Sequence, residues 1–136
     1  MDLALLDTDI LSETLKGINP LVVQRAATYI AQHGQFSLSS ATRYQILRGL
    51  KEKQASRQLA KFHAFCQQSL LLPVTDAVFD RASDLWAEAR RNGQPYEDVD
   101  LIIASTAMEA GRVLVTGNTQ HFAWIPGLRI EDWRQP

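Results

Sequence analysis

Oxygen-bearing side chains cluster at the ends of short apolar runs in this 136-residue sequence. Asp7 closes the run Leu3–Leu6 and is followed by Thr8 and Asp9. Ser39 and Ser40 follow Phe36–Leu38, with Gln45 further along the next helical stretch. Asp98 and Asp100 open the apolar stretch Leu101–Met108, and Thr116 and Asn118 follow Val113–Val115. Clustered oxygen donors with few histidines suit a hard divalent cation, Mg²⁺ with Mn²⁺ as a substitute, and not zinc. Asp100 lies among residues expected to be buried, where a carboxylate needs a partner or a cation. No lysine follows Lys61 to supply that charge. Helical residues two apart point to nearly opposite sides, so of Asp98 and Asp100 the second is expected to face the site. Simpler roles compete. Acids favour helix N-termini by about 0.3–1 kcal/mol, and Asp7 or Asp9 is a suitable N-cap. His33, His63 and His121 show no metal-ligand spacing; the first two read as surface residues, and His121 lies close to the proposed site.

The elements that must position these residues alternate between strand and helix. Apolar runs predict strands at Leu3–Leu6, Phe36–Leu38, Leu70–Val74, Val113–Thr116 and Leu128–Ile130. Helices are expected at Thr8–Lys16, Leu21–Gln32, Ala41–Gln54, Ser56–Gln68, from Thr75 or Asp76 to Arg91, and Asp98–Gly111. Gly17 with Asn19-Pro20, His33-Gly34 and Asn92-Gly93 punctuate them. Pro73 suggests an edge position for the third strand. Gln94–Glu97 reads as a loop, Gly117–Phe122 as a loop or short helix, and the residues after Ile130 as an exposed tail. The alternation implies an α/β fold: a three-layer α/β/α sandwich around a mainly parallel sheet of four to five strands. In such sheets, sites form outside the carboxyl ends of the strands, where the clusters above fall.

Length and composition fit one domain over residues 1–136, with 46% hydrophobic and 21% charged residues. Disorder and low complexity are excluded for the chain as a whole. The single cysteine, Cys66, excludes an intramolecular disulfide and a cysteine-based zinc site, and reads as a small buried hydrophobe. The net charge of -1 argues at first against a nucleic-acid partner. Yet residues 43–61 hold Arg43, Arg48, Lys51, Lys53, Arg57 and Lys61 against one acid, Glu52. Such a segment is either a solvated helix face or a phosphate-contacting surface. There is no positively charged leader and no stretch near the ~18–20 apolar residues of a membrane span, so a cytoplasmic protein with no membrane contact is expected. Trp86, Trp124 and Trp133 read as core or edge packing, with Trp133 the one expected to contact a partner.

Taken together, these stretches resemble the PIN-domain ribonucleases, specifically VapC-type toxins of bacterial toxin–antitoxin pairs. The resemblance is carried in order by Leu5-Leu6-Asp7-Thr8-Asp9-Ile10-Leu11, Tyr44-Gln45-Ile46-Leu47-Arg48-Gly49-Leu50 and Asp98-Val99-Asp100-Leu101-Ile102-Ile103-Ala104. It continues with Leu114-Val115-Thr116-Gly117-Asn118-Thr119 and the tail Ile125–Trp133. It implies a metal-dependent RNA endonuclease that halts translation, a VapB-like antitoxin that blocks its site, and a toxin homodimer. Asp7 and Asp100 match the metal-binding acids, with Asp98 auxiliary. Asn118 matches a position that varies between Asp and Asn, and Thr8 and Thr116 support the site. Arg43, Arg48, Lys51 and Lys53 are then expected to contact RNA phosphates.

Gln45 departs from the family motif, where glutamate normally follows the tyrosine. The change keeps shape and removes one charge. At an effective dielectric of about 20, a unit charge 4 Å from another is worth about 4 kcal/mol of gross attraction, and about twice that for a divalent ion. Weakened metal binding and impaired cleavage are therefore expected, and a PIN-like RNA- or protein-binding module without catalysis is the main alternative. Asp7-Thr8-Asp9 also resembles the opening motif of haloacid dehalogenase-type phosphatases. Those enzymes, like phosphoacceptor domains, need a lysine late in the chain, which is missing here.

Overall fold

The computed structural model describes residues 1–94 and 96–136. In chain order the elements are β1 (Ala4–Leu6), α1 (Thr8–Lys16), α2 (Pro20–His33), β2 (Ser37–Ser39), α3 (Ser40–Glu52) and α4 (Ser56–Gln67). They continue with β3 (Leu70–Leu72), α5 (Asp76–Arg91), α6 (Asp98–Glu109), β4 (Val113–Val115), α7 (Thr119–Phe122) and β5 (Ile130–Glu131). All pairings are parallel. The strands form a three-stranded ladder in the order β1-β4-β5 and a two-stranded ladder of β2 and β3. β3 pairs only with β2 among the described residues, which is the edge position that Pro73 suggested.

The two ladders meet at β1 and β2, where side chains replace ladder hydrogen bonds. The Tyr29 hydroxyl accepts from Ala4 N at 3.0 Å and donates to Ala4 O at 3.3 Å. Arg112 adds a bond from Nη1 to Ser37 Oγ at 3.0 Å. Buried backbone groups must be paired somehow, and here a tyrosine from α2 pairs them.

Successive strand residues face opposite sides, and the sheet accordingly divides two cores. Ala4 and Leu6 of β1 join residues of α1, α2, α3 and α4 in one core. Leu5 of β1 and Leu114 of β4 join α5, α6 and α7 in the other. This is the expected α/β/α layering, with a parallel sheet at its centre. The C-terminal segment differs from expectation. It is not an exposed tail: Trp133 is fully buried in the first core, 5.7 Å from the Tyr29 ring, and Arg25 Nη2 donates to Gln135 O at 2.7 Å. Trp133 therefore contacts the interior and not a partner; the exposed tryptophan is Trp86. A tryptophan near a chain end buries a large apolar area, which outweighs the usual tendency of termini to fray. Cys66 is buried as expected. No described helix is long and apolar enough to cross a membrane.

Candidate active site

Parallel register brings Asp7 and Thr116 together. Leu6 pairs with Val115, and the ladder runs one residue further, with Asp7 N donating to Val115 O and Thr116 N to Glu131 O, both at 2.9 Å. Asp7 and Thr116 thus leave adjacent strands at their carboxyl ends. Thr116 Oγ1 donates to Asp7 Oδ2 at 2.8 Å, while Asp7 Oδ1 accepts from Thr8 N at 2.8 Å. Asp7 is also the N-cap of α1, so capping and site placement are served by one side chain. Thr8 Oγ1 reaches across to α3 and donates to Gln45 Oε1 at 2.6 Å. Asp100, in the first turn of α6, sits 3.0 Å by its Oδ2 from Nε2 of His121 on α7. Asp9 bridges to the segment after β4, its Oδ2 accepting from Gly117 N at 2.9 Å.

The charges in this cluster act on one another. Burial pushes the Asp7 carboxyl up from 3.8 to about 6, and the neighbouring Asp9 and Asp100 charges add to the rise against the bonds from Thr116 and Thr8. Burial also raises Asp100, opposed by His121 and aided by Glu97 and Asp9. Carboxylates that raise one another in this way gain from a shared cation. Among the described residues no three His, Cys, Asp or Glu side chains close into a ready-made cage. That donor set fits Mg²⁺, which retains several waters and takes one or two carboxylates with substrate phosphates completing its shell.

Residues 4–127 match the PIN domain family. This chain belongs to the PIN-domain family. It is 32% identical over 130 residues to the tRNA(fMet)-specific endonuclease VapC of Shigella flexneri, spanning 95% of this chain and 96% of that protein. At 30% identity it overlays a chain of DNA-bound VapBC from Salmonella typhimurium with a TM-score of 0.85, covering 98% and 99% of the two. A chain of VapBC2 from Rickettsia felis, bound to a promoter DNA fragment, shares the fold at 22% identity and a TM-score of 0.84, with 96% and 98% covered.

In this PIN domain the sequence-predicted residues divide into two groups. Asp7, Thr8, Gln45 and Thr116 converge through the hydrogen bonds above, and Asp100 lies near enough for its charge to act on Asp7. Asp98 does not: it lines a groove with Phe79, Trp86 and Leu101, on the side of α6 that faces α5. Asn118 donates its backbone N–H to Thr116 Oγ1 at 3.1 Å and presents an exposed side chain beside His121. The basic segment is also divided. Arg43 is half-buried, and its charge acts on the Cys66 thiol, opposing the rise that burial gives it. Arg48 lies over the exposed Tyr44 ring, 5.1 Å from its centroid, and Lys51 is exposed. Lys53 rims a groove between α1, α3 and α4 with Lys16 and Lys61.

Sequence reasoning gave Asp9 only a capping role and gave His121 little weight, and it passed over Arg134. A Cβ on Gly117 would collide with the Arg134 guanidinium, whose Nε donates to Asp132 Oδ1 at 3.3 Å. That guanidinium lies against the glycine whose N–H holds Asp9. Asp9 was recoverable from its i+2 spacing to Asp7; Arg134 had no local signal, because the docking of Trp133 places it.

Proposed function

We propose that the chain is a divalent-metal-dependent RNA endonuclease, the toxin of a toxin–antitoxin pair, which inhibits translation by cutting a structured RNA and is restrained by a VapB-like antitoxin. The observation that supports this best is the convergence of Asp7, Asp9 and Asp100 with Gln45 at the carboxyl ends of β1 and β4. Asp7 and Asp100 would hold Mg²⁺ or Mn²⁺, with Asp9 the nearby acid that the sequence reading left out. When bound, the ion supplies an activated water and charge stabilisation for phosphodiester hydrolysis. Thr116 and Thr8 orient Asp7, and His121 orients Asp100. Arg134 over Gly117, with Arg48 and Lys51, offers positive charge to the RNA backbone. Base contacts then fall on a single-stranded loop, since A-form duplex edges are hard to reach. A homodimer belongs to the same proposal and is tested by the mass in sedimentation equilibrium.

Gln45 makes this form a weak nuclease in the proposal. Its carboxamide oxygen already accepts from Thr8 and carries no charge for the ion. The same observation favours the second reading, a PIN domain that binds RNA or protein without cutting. Incubation of total RNA with the protein and with Gln45→Glu, in Mg²⁺ or Mn²⁺ and in EDTA, separates the two. Metal-dependent cleavage raised at least tenfold by Gln45→Glu supports the nuclease. Binding without cleavage in both forms supports the second reading.

In this reading the antitoxin would dock in the groove between α1, α3 and α4. Leu15, Ile46 and Leu50 line it and Lys16, Lys53 and Lys61 rim it. An apolar floor with a basic rim suits an acidic amphipathic segment.

A further inference from the structure

Next to the acidic cluster lies a second depression, lined by Gly93, Gln94, Tyr96, Asn118, Gln120 and His121. None of these is an Asp, Glu, Lys or Arg, in contrast to the carboxylates one side chain away. Its wall is aromatic and fixed. Tyr96 stacks on Trp124 with centroids 4.9 Å and planes 21° apart, and meets the His121 ring edge-on at 4.6 Å. Tyr96 and Trp124 both pack on the second core. The remainder is amide: Gln94 Oε1 accepts from the Tyr96 hydroxyl at 3.0 Å, and Asn118 and Gln120 are exposed. His121 joins the two sites, since it lines the depression while its Nε2 holds Asp100.

A phosphate would find no Lys or Arg among the lining residues, with His121 already turned to Asp100, and an apolar side chain would strand the amides. A planar, uncharged group with hydrogen-bonding edges satisfies both the rings and the amides. We propose that this depression is a nucleobase subsite, which takes the base of a nucleotide flanking the scissile phosphate of single-stranded RNA. The base stacks against the Tyr96–His121 wall, and the Asn118 and Gln120 amides read its edge. The assignment rests on the nuclease reading for its place in a reaction, but base binding itself requires no cleavage.

The test is an amide-shift titration of the full chain in Mg²⁺ with AMP, GMP, CMP and UMP, and separately with ribose 5-phosphate. At least one nucleotide is expected to shift the amides of Gln94, Tyr96, Asn118, Gln120 and His121, with ribose 5-phosphate leaving them in place. Tyr96→Ala and, independently, Gln120→Ala should weaken that binding at least fivefold, while Tyr96→Phe retains it. Gln120 is exposed, so its variant stays informative if Tyr96→Ala fails to fold. Equal shifts from ribose 5-phosphate, or no shift from any nucleotide, overturn the subsite. If Gln45→Glu cuts RNA with the same base preference in the Gln120→Ala and Tyr96→Ala backgrounds, the nuclease stands and the subsite falls. If nucleotides bind there but Gln45→Glu cuts nothing, the subsite stands and the nuclease falls.

Discussion

Asp7 carries conflicting demands: it caps a helix, it is buried, and two other carboxylates lie near it. Its folded carboxyl holds a proton up to about pH 6, against 3.8 ordinarily. A raised folded value favours the fold fully below about pH 3.8, and that contribution is lost as pH rises through about 6. The difference corresponds to roughly 3 kcal/mol at about 1.4 kcal/mol per tenfold. Without metal, the protein should therefore lose melting temperature between pH 4 and 7, with Asp100 acting in the same direction. Asp7→Asn keeps the cap and removes the buried charge. It should be more stable than the parent by about 1–3 kcal/mol at pH 7.5 in EDTA and so melt higher, lose the melting shift expected of the parent in Mg²⁺, and abolish cleavage in the Gln45→Glu background. A lower melting point in EDTA would contradict the electrostatic account of Asp7. Asp7 and Asp100 were legible as candidates because one closes and the other opens an apolar run, and Gln45 because it lies in the Tyr44–Leu50 stretch that carries the family resemblance. Asp9 was hidden by the plausibility of its capping role, and its bond to Gly117 depends on strand register that local pattern does not carry.

At the scale of elements, strand positions along the chain and helix ends were legible where apolar runs met Gly, Pro or a capping side chain. The seam between β1 and β2 was not, because Tyr29 reads in sequence as one more apolar residue of an amphipathic helix. Its hydroxyl replaces ladder bonds at Ala4, both partners being buried. Tyr29→Phe keeps the ring packing and leaves the Ala4 N–H without its partner, which costs about 1–3 kcal/mol. Urea denaturation should show a lower midpoint with an unchanged slope. An unchanged midpoint would mean that the strands find another partner there. Trp133 was legible as a packing residue but not as the anchor of the chain end. That anchor determines where Arg134 lies, and Gly117→Ala tests the consequence. The new methyl must displace the guanidinium, so RNA affinity should fall severalfold in fluorescence anisotropy while the melting temperature moves little, because the displaced group is a half-exposed side-chain end. Retained affinity would remove Arg134 from the RNA surface.

For the molecule as a whole, the net charge of -1 conceals an uneven distribution of charge. Residues 43–61 lie on α3 and α4, but their cations do not form one patch. Arg43 is half-buried, Arg48 and Lys51 face solvent, and Lys53 and Lys61 border the groove with Leu15, Ile46 and Leu50. Charge that contacts phosphate acts through counterion release, so each lost contact reduces the salt slope of RNA binding by about 0.7–0.9. Charge that rims the apolar groove would, in the proposed reading, act on the antitoxin and contribute no such slope for RNA. Arg48→Ala and Lys51→Ala should each lower the slope of log affinity against log salt by about 0.7–0.9 and leave antitoxin binding near the parent value. Lys53→Glu with Lys61→Glu should do the reverse, slowing antitoxin association several-fold in surface plasmon resonance while the RNA slope changes little. If all four substitutions weaken both partners alike, the basic segment is one undivided surface, and antitoxin and RNA compete for it by charge alone.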